Sequence, residues 1–276
     1  MKIVHQVHPE DFARYNTQQI REKFLLESLV QPDAIINAYT HYDRMICGAA
    51  YPINKSITLP TYDQLKSENF LDRREMGVVN IAGKGSVSID GEVYAMDKLD
   101  CLYIGKGKKE VIFSSESADD AAKFILFSCP AHHEYPVQLM RPAEATHAEL
   151  GSAETANQRV INKYIHLDGL KSCQLVMGVT NFKPGSLWNT MPPHTHDRRM
   201  EIYFYFDLPE NQRIIHFMGE ATETRHMFIA NEEAIISPAW SIHSGVATSS
   251  YSFIWAMAGE NMSFTDMDTI DITTLR

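Results

Sequence analysis

Cysteine is scarce in this chain of 276 residues, and the scarcity argues against whole classes of protein. The four cysteines form no CxxC pair and are not densely spaced; they are Cys47, Cys101, Cys129 and Cys173. Disulfide-stabilised extracellular domains and cysteine-based zinc or redox sites need closer spacings than these. The pattern instead suits reduced thiols in a cytoplasmic compartment.

Basic residues and long apolar runs are also in short supply. The 25 Lys and Arg are outnumbered by 35 Asp and Glu, which gives a formal net charge of −10. Because phosphate groups bind to basic surfaces, this balance argues against a nucleic-acid or anionic-membrane partner. The N-terminus has no apolar leader, and no stretch reaches the length of a membrane span. We therefore expect a cytoplasmic protein that binds any anionic ligand through a local group of cations.

Hydrophobic residues make up 44% of the chain, enough for one large core or two of ordinary domain size, and two fit better. Helices are expected to be few. Asn16, with Gln19 three residues on, predicts a capped helix that has Ile20 and Phe24 on one face.

Short apolar stretches separated by turn signals fill most of the remaining sequence. The Asp90-Gly91 pair between two such stretches predicts a β-hairpin. Short apolar stretches of this kind cover residues 34–127 and 173–259. The segment between them is rich in proline and has poor periodicity. We therefore predict an all-β chain with a few short helices: an N-terminal unit at 1–140 that includes the helix, a connection at 141–160 and a second unit at 161–276.

Metal-ligand side chains are concentrated in the second unit. On an extended strand His194 and His196 point to the same side, and Glu201 opens the apolar run that follows. His243 comes after a proline-marked turn further along. A His-x-His pair alone also occurs at solvated strand edges, and an isolated His243 would more often be a core residue. The joint pattern favours a metal site, and three imidazoles with one carboxylate suit zinc, iron, manganese, nickel or cobalt.

This joint pattern resembles the metal signature of the cupins, which implies double-stranded β-helix (jelly-roll) barrels. The two β units also look like diverged copies, because the run from Arg73 parallels the run from Arg198. In that alignment Asn69, Leu71 and Met76 stand where the second copy has His194, His196 and Glu201. We therefore predict two tandem cupin barrels with the metal set in the second one alone.

The surroundings of these residues indicate the class of ligand. Arg198 and Arg199 stand beside the site, and an arginine holds a carboxylate through two parallel hydrogen bonds, so a small acidic ligand is expected. The alternative for either arginine is a surface ion pair. Tyr203 shares the face of Glu201 and either donates to a substrate oxygen or fills the core. Aromatic residues that could wall a pocket are Trp188, Trp240, Phe253 and Trp255.

The chain as a whole resembles the 5-keto-4-deoxyuronate isomerase family. The resemblance rests on seven segments spread over nearly the whole chain: 40–44, 73–81, 103–107, 161–164, 187–192, 201–206 and 240–245. It implies an aldose-ketose isomerase, an intramolecular oxidoreductase that converts 4-deoxy-L-threo-5-hexosulose uronate to 3-deoxy-D-glycero-2,5-hexodiulosonate in pectin breakdown. It also implies one zinc per chain, held by His194, His196, Glu201 and His243, and a cytoplasmic homohexamer.

The proton-transfer residue stays open at this point. Tyr203, His41, Lys163, Glu201 released from the metal, and a metal-bound water are all candidates. Two other functions also remain: a cupin dioxygenase that uses the same three-His-one-Glu set, and a non-catalytic sugar-binding protein with two cupin barrels.

Overall fold

Strands dominate the computed structural model, which describes residues 1–260 and 262–276. The described residues contain 24 strands, two α-helices and three short 3₁₀ helices. The helices are α1 Pro9–Phe12 and α2 Thr17–Phe24, and the 3₁₀ helices are Asp63–Leu65, Pro142–Glu144 and Ile272–Thr274. The all-β prediction is confirmed. None of the described helices has the length and apolar character needed to cross a membrane.

The first half of the chain supplies two helices and twelve strands. Helix α2 begins where predicted, because Asn16 Oδ1 accepts from the Gln19 amide at 2.9 Å and the Gln19 side chain accepts from the Asn16 amide at 3.0 Å. The strands are β1 Lys2–Val4, β2 Leu25–Leu26, β3 Ile35–Thr40, β4 Ile46–Ala50, β5 Ile57–Thr58, β6 Arg74–Asn80, β7 Gly85–Ile89, β8 Glu92–Met96, β9 Cys101–Ile104, β10 Val111–Ser115, β11 Phe124–Pro130 and β12 Gln138–Met140.

The predicted hairpin joins β7 to β8. Ile89 pairs with Glu92 across it, and Asp90 and Gly91 have φ of 51° and 92°. Asp and Gly tolerate this left-handed conformation, which matches the twist of the flanking strands.

The second half of the chain supplies another twelve strands. They are β13 Thr146–Leu150, β14 Arg159–Ile165, β15 Val176–Phe182, β16 Trp188–Asn189, β17 His194–Thr195, β18 Arg199–Phe206, β19 Ile214–Glu220, β20 Glu223–Ile229, β21 Ala234–Ser237, β22 Ile242–Ala247, β23 Ser252–Gly259 and β24 Asp268–Thr269.

Four of the sheets form two matching pairs. The first pair has strand orders β1-β3-β4-β11-β6-β9-β12 and β5-β10-β7-β8, and the second has β13-β14-β15-β23-β18-β21-β2 and β16-β22-β19-β20. When β3 is matched to β14 and β6 to β18, the two pairs repeat the same internal order. Such repetition is what a duplicated segment produces. The tandem cupin barrels themselves stay a prediction.

The interior of the first sheet pair is apolar. Leu71 and Met76, which the alignment of the two copies matches to His196 and Glu201, lie buried there together with Val111. The two seven-stranded sheets pack face to face in a second, larger core. Gly77 lies at their contact, where an added Cβ would stand 2.5 Å from Met177 Cε. A side chain at this position would therefore have to displace the end of Met177.

The N-terminal segment reaches across to the second half. Strand β2 extends the sheet of the second half by pairing with β21, and the rings of Phe12 and Phe24 pack on Trp240 at 5.3 and 6.4 Å. The helices that the sequence assigns to unit 1–140 thus contact unit 161–276. The expected connection at 141–160 contains the edge strand β13, whose residues are largely exposed on both faces. A strand without a buried face has no hydrophobic alternation, which is why its sequence gave no strand signal.

Candidate functional site

Three strands, and the residue that follows one of them, bring the four candidate metal ligands to one end of the second sheet pair. His194 lies in β17, whose partner is β24 through the pairing of His194 with Thr269. Glu201 lies near the start of β18, and His243 lies in β22 opposite Met218. His196 follows β17 directly. The antiparallel pairing sets the register, so residues far apart in sequence meet at this point.

The ligand atoms of the four side chains converge. His243 Nε2 lies 2.9 Å from His194 Nε2 and 3.0 Å from Glu201 Oε2, and His196 Nε2 lies 3.1 Å from the same oxygen. All four ligand atoms lie within 4.8 Å of one another. Among the described residues, no other group of three or more His, Cys, Asp or Glu side chains is clustered in this way.

Two of the imidazoles are oriented by their second nitrogen. His196 Nδ1 lies 3.0 Å from the carbonyl oxygen of Arg199, and His243 Nδ1 lies 3.3 Å from Ser237 Oγ. Donation from Nδ1–H to these oxygens leaves the Nε2 lone pair directed at the centre of the group. Metal-binding histidines are held in the same way.

The charge state of the group also suits a cation. Burial acts to raise the pKa of Glu201, but His243 and His196 outweigh it and hold the pKa well below its usual value. Burial, together with His243, lowers the pKa of His194 to about 3. The set therefore presents an ionised carboxylate and a neutral imidazole, which is the protonation state that metal binding requires. The residues fit a divalent cation.

A cavity of about 360 Å³ opens beside the group. Leu150 and Met267 stand at its mouth, because they are 46% and 37% exposed, while Glu201 and Tyr203 are buried. The remaining lining residues are Arg159, Ile161, Thr180, Asn189, Thr190, Met191, Pro192, His194, Arg199, Phe253, Trp255, Met257, Phe264 and Thr269. A pocket of this size accommodates a small organic ligand.

Residues 29–272 match the model of the KduI/IolB family. The chain belongs to this family. Two relatives, both called 4-deoxy-L-threo-5-hexosulose-uronate ketol-isomerase, are each 52% identical to it. The one from Shouchella clausii aligns over 276 residues, 100% of both chains, and the one from Lachnoclostridium phytofermentans over 268 residues, 97% of both.

Solved structures similar to this KduI/IolB family member have cupin folds. An IolB-like protein from Salmonella typhimurium superposes with a TM-score of 0.73 at 18% identity, covering 90% of this chain and 96% of that one. An oxalate decarboxylase from Lactobacillus farciminis superposes with a TM-score of 0.56 at 11% identity, covering 82% and 79%. At these identities the likeness shows the fold alone.

The three candidates for proton transfer lie in different environments in this family member. Tyr203 is buried, lines the cavity and has its hydroxyl 3.4 Å from Thr190 Oγ1. Lys163 is not among the lining residues, although its Nζ stands 4.9 Å from the ring centroid of Phe264, which is one of them. His41 is exposed and stacks on His5 at 4.7 Å, away from the cavity. Tyr203 is thus the one of these three that faces the cavity.

The two arginines predicted to bind a carboxylate also lie in different environments. Arg198 is exposed and forms an ion pair with Glu260 at 2.6 Å, outside the lining of the cavity. Arg199 is buried and lines the cavity, but its guanidinium donates to backbone carbonyls of the C-terminal segment, at Ser263, Phe264 and Asp266. Arg199 therefore fixes the C-terminal segment that forms part of the cavity wall.

Three residues of the cavity were given no polar role in the sequence analysis. Arg159 stands in a stretch without a recognised motif, Asn189 lies in segment 187–192 without an assigned role, and Trp255 was considered only as a possible wall. Phe253 also lines the cavity, as considered. Trp188 instead stacks on Phe217. No local sequence pattern brings these three residues to one cavity, since they reach it from three different strands.

Proposed function

We propose that this chain is a metal-dependent aldose-ketose isomerase that converts 4-deoxy-L-threo-5-hexosulose uronate to 3-deoxy-D-glycero-2,5-hexodiulosonate. One observation carries the proposal: three imidazoles and a carboxylate converge within 4.8 Å at the wall of a cavity. The full-length relatives at 52% identity carry the name of this ketol-isomerase, which supports the choice of substrate.

The reaction moves a proton between adjacent carbons by way of an enediol, so negative charge develops on two neighbouring oxygens. A divalent cation held by His194, His196, Glu201 and His243 would stabilise that charge as a Lewis acid, without a redox role. We propose zinc, one per chain, because a set of three imidazole nitrogens and one carboxylate oxygen suits it.

Tyr203 has a defined part in this proposal. Burial raises its pKa well above the usual value, so the phenol keeps its proton at neutral pH. A protonated hydroxyl that faces the cavity can donate a hydrogen bond, or its proton, to a substrate oxygen as charge develops there. It is poorly suited to be the base that removes the carbon-bound proton.

The assembly and location follow from the family resemblance and remain proposals. We infer a homohexamer and a cytoplasmic location. Light scattering on the purified protein tests the first, because six chains of 31.4 kDa have a mass clearly different from that of a monomer or dimer.

Product analysis under anaerobic conditions tests the proposed reaction. The purified protein should convert the deoxyuronate to a product of unchanged mass, with new carbon signals of a ketone in the NMR spectrum. The rival dioxygenase predicts no turnover without oxygen and a heavier product in its presence. The rival sugar-binding protein predicts binding without turnover under either condition. Nothing in the geometry of the cavity favours either rival.

A further inference from the structure

Arg159 is an arginine of the cavity wall with no acidic partner. Its Nη1 donates to the carbonyl oxygen of Asn157 at 3.0 Å, and no carboxylate of a described residue pairs with it. Arg21, Arg198 and Arg225 do pair with a carboxylate. Arg159 has none among the described residues, so its half-buried charge remains available to an anionic ligand. Burial lowers the pKa of Arg159, as expected for a cation that is partly removed from water.

Two buried N–H groups of the same cavity also lack acceptors. Trp255 is 3% exposed and Asn189 is 2% exposed, and both line the cavity. Trp255 Nε1 and Asn189 Nδ2 have no hydrogen-bond partner among residues 1–260 and 262–276. Because a buried donor without an acceptor costs free energy, such groups usually meet a ligand or an ordered water. These two groups and the guanidinium of Arg159, which has further N–H groups besides Nη1, are all donors, so they call for a ligand rich in acceptor oxygens.

The strand order determines where these donors stand relative to the metal-ligand group. Arg159 pairs across strands with Leu150, which is at the mouth of the cavity. Trp255 pairs with Tyr203, two residues beyond Glu201 in β18. In the sheet, β14 and β18 are separated by β15 and β23, so about 14 Å lies between the two strand axes. Arg159 therefore lies near the opening of the cavity, and Trp255 lies between Arg159 and the metal-ligand group.

Space for the indole depends on the neighbouring strand. Gly178 of β15 pairs with Trp255, and a Cβ at Gly178 would stand 2.2 Å from Trp255 Cζ2. The absence of a side chain there lets the ring lie across the sheet within the cavity. Its N–H is thus held on a rigid element and not on a mobile loop.

We propose that Arg159 binds the carboxylate of the substrate at the mouth of the cavity. Trp255 Nε1 and Asn189 Nδ2 then donate to other oxygens of the substrate. The inference rests on the proposed function, because it presumes a uronate whose carbonyl end enters first. It makes Arg159, and not Arg198 or Arg199, the residue that selects an acidic sugar over a neutral one. A guanidinium fork matches a carboxylate in geometry as well as charge.

Ligand binding without turnover tests this subsite separately from the isomerase activity. The metal-loaded protein is titrated with D-galacturonate and with D-galactose by calorimetry, for the wild type, Arg159→Met and Trp255→Phe. Arg213→Met is the matched control, since Arg213 is exposed and bonds the carbonyls of Glu210 and Gln212. We expect the wild type to prefer galacturonate. In Arg159→Met, galacturonate affinity should fall about 10- to 100-fold, while galactose affinity and metal content stay unchanged.

Trp255→Phe should weaken both sugars by only several-fold, because it removes one neutral donor. Equal affinity of the wild type for the two sugars, or an unchanged galacturonate affinity in Arg159→Met, overturns the subsite. An equal loss for both sugars in Arg159→Met also overturns it, since that result indicates a structural role. If the wild type prefers galacturonate and Arg159→Met abolishes the preference, but the wild type does not isomerise the deoxyuronate, the subsite stands and the proposed function fails.

Discussion

Two kinds of residue make up the candidate metal centre. His194, His196, Glu201 and His243 provide the converging ligand atoms, and Ser237 orients one of them through His243 Nδ1. Glu201 is nearly fully buried and lies beside the Nε2 atoms of His196 and His243, so its negative charge would be left uncompensated if the cation were lost. Substitution of a ligand should therefore lower the metal affinity more than substitution of Ser237 does.

Changing His243 to Ala should lower metal affinity by more than about 100-fold, because even residues that only orient a ligand contribute about 10–100-fold. Isomerase activity should fall with the bound metal, while far-UV circular dichroism stays that of a β protein. Ser237→Ala should cost about 10-fold in metal affinity. Metal analysis after dialysis distinguishes the two.

Glu110→Ala is the control in the first half of the chain. Sequence alignment of the two copies gives Glu110 a position near that of His243, but Glu110 is exposed and its neighbour Val111 faces the apolar interior. Metal content should not change in this variant. If His243→Ala retained its metal, the ligand assignment would be wrong.

At the scale of elements, the C-terminal segment closes the site. Strand β24 pairs with β17, which carries His194, and the amide of Ile270 donates to the carbonyl of Pro193 at 2.9 Å. Arg199 holds the preceding residues through their carbonyls. His194 therefore depends on a segment more than seventy residues downstream.

Truncation after Met267 should lower metal affinity about 10-fold, as expected for a ligand that loses its orienting contacts. It should also raise the KM, because Thr269 of the cavity wall is lost. Truncation after Ile270 keeps the β17–β24 pairing and is the control. Equal metal affinity in both truncated proteins would show that the pairing does not position His194.

At the scale of the whole molecule, the two halves are interlocked. Strand β2 covers the edge of β21, and Phe12 and Phe24 cover Trp240, so the second half lacks part of its own sheet and core. The seven-stranded sheets also bury their outer faces against each other. Uncovered strand edges and apolar faces promote aggregation. We therefore do not expect the metal-binding half to fold stably without the first half.

A fragment of residues 141–276 should fail to form a stable monomer. We expect aggregation or loss of the near-UV circular dichroism signal, since an edge strand and a large apolar face become exposed. Size-exclusion chromatography and thermal unfolding measure this. A monomeric fragment with a cooperative transition would show that the two halves fold separately.

The sequence predicts local features well in this molecule. The cap at Asn16, the Asp90-Gly91 turn and the shared direction of His194 and His196 depend on residues a few positions apart. Features that depend on strand order were missed. Arg159 and Trp255 meet in one cavity because β14, β15, β23 and β18 are neighbours, and no short pattern encodes that order. Strand β13 was missed because an edge strand exposed on both faces has no alternation.

The central claim is that one metal ion per chain, held by three histidines and Glu201, supports the isomerase reaction. Stoichiometric reconstitution tests it most directly: the protein is stripped with a chelator, zinc is added back in steps, and turnover of 4-deoxy-L-threo-5-hexosulose uronate is followed. We predict negligible activity in the stripped protein and a linear rise that ends at about one zinc per chain. Full activity of the stripped protein, or no activity after zinc is restored, would contradict the account.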